Sequence, residues 1–177
     1  MHQENELKLI KACLRNERAA QRELYDRYAP LMMAIAMRYM GNIDTAQDVV
    51  QDAFIKIFES LSQYTAKGSL EGWIRRITVN VALEYLRHTD WSNSLDCDEV
   101  VQMPTTSLTP IEKMSADELM TIIASLPSGF RTVFNMYAIE GYSHKEISQK
   151  LHIQESTSRS QYIRAKALIQ KKLEDFK

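Results

Sequence analysis

Between Ser156 and Lys172 the chain carries five basic side chains and no acidic one. On a helix advancing about 100° per residue, Arg159, Ser160, Ile163, Arg164, Ala167, Gln170 and Lys171 share one face. Ser158, Tyr162, Ala165, Ile169 and Leu173 fall on the other and are expected to pack inward. Such a positive stripe attracts phosphates. Its arginines can each donate two hydrogen bonds to a guanine edge, and Ile163 and Ala167, apolar yet facing outward, suit thymine methyls in a major groove. The plainer alternative is a solvated basic helix.

Two further faces carry unusual side chains. From Asp44 to Leu61 an apolar stripe (Val49, Val50, Ala53, Phe54, Ile57, Phe58, Leu61) is opposed by Asp48, Gln51, Asp52, Ile55 and Glu59. An outward isoleucine ringed by carboxylates fits a docking surface for a basic partner, although a lone exposed apolar residue is also ordinary. From Leu70 to Arg87 the helix is apolar over most of its circumference, and Arg76, Asn80, Leu83 and Arg87 form a row with Arg75 beside it. Asn and Arg so placed suit base edges and phosphates, whereas Trp73, Tyr64 and Tyr85 read more simply as core, Trp73 above all.

Enzyme chemistry finds little here. His2, His88, His144 and His152 do not sit with Cys, Asp or Glu at metal-ligand spacing, and there is no phosphate-cradling glycine loop or nucleophile elbow. Asp48 and Asp52 share a helix face, but no second helix supplies a matching acidic motif for Mg²⁺. No cofactor is expected. Cys13 and Cys97 lie far apart and read as reduced thiols.

The elements that must position these faces are helices. With 5 Gly and 4 Pro in 177 residues the chain is poor in turn formers, and its 45% hydrophobic content is ample for packed cores. Helical stripes run over residues 7–15, 19–40, 44–61 and 70–87, with Gly41 as a stop and Asp44 to Gln47 as a capping box. After residue 109 a helix starting near Thr109 or Ser115 ends near Pro127, and another runs from Gly129 to Glu140. Ser143 to Glu146 forms a second capping box, opening a short helix that ends at Leu151. A turn at His152, Ile153 and Gln154 then leads into the basic helix, giving helix-turn-helix proportions.

The formal charge of -1 hides three pieces. Residues 1–90 carry 12 basic and 12 acidic side chains, residues 91–120 carry 1 and 6, and residues 121–177 carry 9 and 5. The stretch from Trp91 to Thr109, rich in Ser, Thr, Asp and Pro, reads as a flexible acidic linker between two small helical domains, 1–90 and 110–177. The longest apolar runs, such as Leu31 to Met37, fall short of the roughly 20 residues of a membrane span, and the polar start is unlike a signal peptide. A cytoplasmic protein without membrane insertion is expected.

Three stretches, spread over both domains and in the same order, resemble the ECF type of sigma factors in the sigma-70 superfamily. Residues 44–58 are similar to that family's D-A-E-D-L-V-Q-E-V-F-L-R-L-W helix, and residues 73–87 to its W-L-Y-R-I-A-R-N-L-A-L-D-L-L-R helix. Leu126-Pro127, Glu140 to Ser143 and Glu146-Ile147 follow its L-P…E-G-L-S-Y-E-E-I pattern. The resemblance implies an all-α chain made of a sigma-2-like helical bundle and a sigma-4-like helix-turn-helix domain. It is implied to be a non-enzymatic subunit that binds core RNA polymerase and directs promoter-specific initiation. Asp48, Gln51, Asp52 and Ile55 fall on positions that dock on the beta-prime coiled coil. Arg75, Arg76, Asn80 and Arg87 fall on those that engage the minus-ten element, beside a base pocket at the Gln63 to Gly68 loop. Thr157, Arg159, Ser160, Ile163, Arg164 and Lys171 fall on those of the helix that reads the minus-thirty-five element. The beta flap, promoter DNA and an anti-sigma factor are the further partners implied. Departures from the pattern include His152 in place of a turn glycine, Ser148 and Ser158 in place of Ala and Val, and no arginine run after Arg87. Apart from the resemblance, an autonomous dimeric helix-turn-helix regulator and a helical adaptor that binds only proteins remain open.

Overall fold

Long apolar stripes and few glycines make helices, and the structure, a computed structural model that describes residues 2–88 and 116–175, contains helices and turns and no strand among them. The chain divides into two compact units, one centred on α1 to α4 and the other on α5 to α8.

In the first unit, α1 (His2–Leu14) starts five residues ahead of its apolar stripe, and α2 (Arg18–Met40) follows. Leu9, Ile10 and Cys13 of α1 and Leu24, Tyr28, Met32 and Ile35 of α2 are buried. The Tyr28 hydroxyl donates to Glu6 at 3.2 Å; burial and that carboxylate push its pKa up to about 12. Gly41 takes the left-handed conformation, φ 75°, that ends α2 without a Cβ clash.

Helix α3 (Ile43–Ser60) is capped differently from the expected Asp44 box. Asn42, extended at φ -137° and ψ 153°, is the N-cap, and its side chain accepts from the Thr45 amide at 2.9 Å. Asn caps as well as Asp, so the earlier residue takes the role and Asp44 lies in the first turn, where its charge suits the helix dipole. Ala46, Val49, Val50, Ala53, Phe54 and Ile57 form the buried face, with Phe54 against Tyr25 at 4.6 Å between ring centroids. A 3₁₀ turn (Leu61–Gln63) closes it. Helix α4 (Leu70–His88) starts at Ser69, whose hydroxyl accepts from the Gly72 amide at 3.1 Å. Its residues Leu70, Ile74, Thr78, Val79, Val81, Ala82, Leu83 and Leu86 are buried.

In the second unit α5 (Ala116–Ala124) leads through Leu126 and Pro127 into α6 (Ser128–Phe134). The expected continuous helix to Glu140 is interrupted: residues Asn135–Ile139 form a π turn. Gly141, at φ 78°, ends it as expected. Helix α7 (His144–Leu151) has the full capping box, with Ser143 accepting from the Glu146 amide and Glu146 reaching back to the Ser143 amide at 2.8 Å. His152 closes α7 in the left-handed region at φ 55° and ψ 41°, as the missing turn glycine requires. Helix α8 (Glu155–Asp175) completes the helix-turn-helix. Ile122, Ile123, Leu126, Phe130, Ala165 and Ile169 make the core, with Leu119, Phe134, Ile139, Leu168 and Leu173 packed against it. The expected linker, residues 91–109, lies outside the described residues, as do Cys97 and the alternative helix starts at Thr109 and Ser115.

Candidate functional site

The geometry of α8 follows from which side chains its neighbours bury. Ser158, Gln161, Ala165, Ala167 and Ile169 are buried, and Tyr162 and Leu173 half-buried. Ser158, Tyr162, Ala165, Ile169 and Leu173 match the expected inner face. Ala167 is a correction: its small side chain is 7% exposed, so the packed face is wider than the apolar spacing suggests and Ala167 presents no methyl to a groove. Exposed on the far side are Arg159, Ser160, Ile163 and Lys171, with Thr157 and Arg164 half-buried at its margins. Ile163 keeps 46% of its surface in solvent among these basic groups. Ser160 donates its hydroxyl proton to the Thr157 carbonyl at 3.0 Å, one turn back.

The N-terminal turn of α8 holds two features that the spacing of basic residues does not reveal. Glu155 accepts from the Arg159 guanidinium, an i, i+4 ion pair. A basic stripe counted from Ser156 stops one residue short of this carboxylate; the Glu-to-Arg interval of four was the available signal. His144, the first residue of α7, brings Nδ1 to 2.9 Å from the Ser158 hydroxyl. Its ring stacks on Tyr137, 4.3 Å between centroids and 12° from parallel, and meets Tyr162 edge-on at 5.9 Å. Burial first, and the Arg159 charge second, hold His144 below the usual imidazole range, against the opposing pull of Glu155. The two helices of the motif are thereby tied together at the end that carries Arg159.

On α3, Asp48, Gln51, Asp52 and Ile55 are all exposed, at i, i+3, i+4 and i+7 of one face, and Ile55 keeps half its surface in solvent. The opposite face fills the core, which fixes this one outward. Lys56, next to Ile55, forms an ion pair with Glu84 of α4 and so pins the two helices.

On α4 the expected row divides. Arg76 and Arg87 are exposed, Arg75 and Asn80 half-buried, and Leu83 buried, so the row presents two cations and an amide with a gap. Trp73 is half-buried, short of the core position expected of it, and lies against Tyr64 at 5.5 Å between centroids. The Tyr64 hydroxyl donates to the Gly68 carbonyl at 2.6 Å across a loop in which Ala66 is left-handed, φ 57°.

Comparison with known proteins accounts for both units. Residues 24–92 match the Sigma-70 region 2 family and residues 116–169 the Sigma-70, region 4 family. The ECF RNA polymerase sigma-E factor of Haemophilus influenzae is 28% identical over 178 residues, covering 94% of each chain. The chain belongs to the ECF-type sigma factors of the sigma-70 superfamily. The ECF RNA polymerase sigma factor SigE of Mycolicibacterium smegmatis is 31% identical over 150 residues, 81% of this sigma factor and 58% of that relative. Among solved structures, the sigma factor RpoE of Bartonella quintana, in complex with the anti-sigma factor NepR, shares the fold at a TM-score of 0.51 and 19% identity, covering 86% of this chain and 96% of that one. This sigma factor directs promoter-specific transcription, and sigma factors as a group are non-enzymatic initiation factors.

Proposed function

We propose that the three faces divide the work of initiation. Asp48, Gln51, Asp52 and Ile55 on α3 dock on the basic coiled coil of the polymerase beta-prime subunit, with an apolar centre and a charged rim. Arg75, Arg76, Asn80 and Arg87 on α4 hold the melted minus-ten element beside the Gln63 to Gly68 loop. Thr157, Arg159, Ser160, Ile163, Arg164 and Lys171 on α8 read the minus-thirty-five element in the major groove, and the unit that carries α8 meets the beta flap. The observation that carries this reading is the exposed face of α8: a helix-turn-helix second helix whose outward side is cationic with an isoleucine among the cations.

Domains spanning residues 1–90 and 110–177, joined by residues 91–109, fit these roles. The polymerase supplies the catalysis, and no reaction is assigned to this chain. Among the described residues no helix is long and apolar enough to cross a membrane, in keeping with action in the cytoplasm. An anti-sigma factor covering the same faces is a fitting regulator, as the Bartonella quintana sigma factor is bound by one.

The test adds the purified chain to core polymerase on templates carrying its own promoter and measures promoter-specific transcripts, with each component alone as control. Transcripts only from the combination support the reading. Tight duplex binding by a dimer without polymerase would favour an autonomous regulator instead.

A further inference from the structure

The Glu155–Arg159 pair is an acid placed at the reading end of a helix that must approach a polyanion. By charge alone it opposes duplex binding. Three observations give it a use. Arg159 is mostly exposed, 61% by side chain, while the Glu155 side chain is 43% exposed, so the pair lies on the open face of α8 and does not serve packing. The interval of one helical turn, with the acid on the N-terminal side, is the orientation in which such pairs are favourable. The turn that carries both residues is itself fixed, because Ser158, between them, is buried and bonded to His144 of α7.

A guanidinium has five N–H donors in a rigid fork, and a guanine edge takes two of them. A carboxylate can hold others and leave that edge free. A long arginine loses much rotamer freedom when it binds, and holding it beforehand reduces that loss. The same carboxylate repels a phosphate that would otherwise draw Arg159 aside.

We propose that Glu155 is a positioning and specificity-determining residue: it holds the Arg159 guanidinium for a base edge and withholds it from phosphates. This rests on the reading of α8 as the minus-thirty-five helix. Its consequence is a trade, in which Glu155 lowers general affinity for duplex and raises discrimination at the one base pair that Arg159 meets.

The experiment uses the full chain with core polymerase and templates whose minus-thirty-five region is randomised, with transcripts sequenced to give the base preference at each position. Arg159→Ala identifies the position it reads. Glu155→Ala, which keeps helix propensity, is expected to weaken preference at that same position by about fivefold while leaving the other positions unchanged. It is also expected to raise binding to nonspecific duplex. Glu155→Gln, which keeps the length and an acceptor oxygen, should retain more of the preference but show the same rise in nonspecific binding. Loss of preference at every position, or none at the Arg159 position, would overturn the role of Glu155. No change with Arg159→Ala itself would instead sink the reading of α8 on which the proposal rests.

Discussion

Arg164 sits half-buried at the margin of the α8 face, one residue after the exposed Ile163. If it meets a base edge, Arg164→Ala costs about 1 to 3 kcal/mol at one promoter position and relaxes preference there. Transcription from single-base promoter variants measures this; an equal loss on all sequences, with a shallower salt dependence, would make it a phosphate contact. His144 gives a prediction of another kind. Its folded pKa is lowered from 6.5, so the neutral ring is favoured in the folded chain and the unfolded chain binds more protons as the pH falls through that value. Stability of the second unit should be fully present above about 6.5 and should decline below it. The groups facing the ring are Arg159 and Glu155 from α8, with the Tyr137 and Tyr162 rings, and the cation adds its repulsion to the loss. Thermal unfolding at several pH values should show this slope, and His144→Tyr, which keeps an aromatic ring in the position where the family pattern has Tyr, should flatten it. An unchanged slope would place the titration elsewhere.

Helix α7 owes its start and its end to single residues. Ser143→Ala removes the hydroxyl that accepts from the Glu146 amide, at a cost of about 1 kcal/mol, and leaves the Glu146 carboxyl, held below the usual range by its bonds to the Ser143 amide and hydroxyl, with the amide alone. His152→Gly should work in the opposite direction by up to about 1 kcal/mol, because it relieves a left-handed Cβ. Denaturant unfolding of the full chain checks both signs. These two ends were legible in the sequence because each depends on neighbours a few residues away. The same holds for the inner face of α8 and the outer face of α3, where periodicity alone selects the buried side chains. Other features depend on what the spacing does not contain. Asn42 and Asp44 are both good caps, and only the backbone after Gly41 decides between them. The π turn at Asn135–Ile139 adds a residue without disturbing the apolar pattern enough to show it. Ala167 is small enough to sit on either side, so its burial depends on how wide the packed face becomes. Ser158 and His144 each depart from the family pattern, and nothing in their separation of fourteen shows that one partners the other.

A total charge of -1 would suit a poor binder of bulk DNA, yet the chain carries a cationic face on α8 and an acidic face on α3, in different units. Distribution, more than the sum, therefore has to explain how it reaches a promoter. On the proposed reading the acidic face of α3 acts first, by joining the polymerase, and the cationic face of α8 gains its hold on DNA only within that assembly. Asp48→Lys combined with Asp52→Lys should then abolish co-purification with core polymerase. Both side chains are exposed, so the fold should survive, and circular dichroism should show unchanged helix content. The double change also makes the whole molecule more positive, which by itself would alter association with a charged partner. Asp26→Lys combined with Glu174→Lys makes the same change in total charge at exposed positions on α2 and α8. Retained polymerase binding in this control, against loss in the first variant, would place the effect on the α3 surface. Equal loss in both would mean that net charge governs assembly, and no loss in either would remove α3 as the docking face.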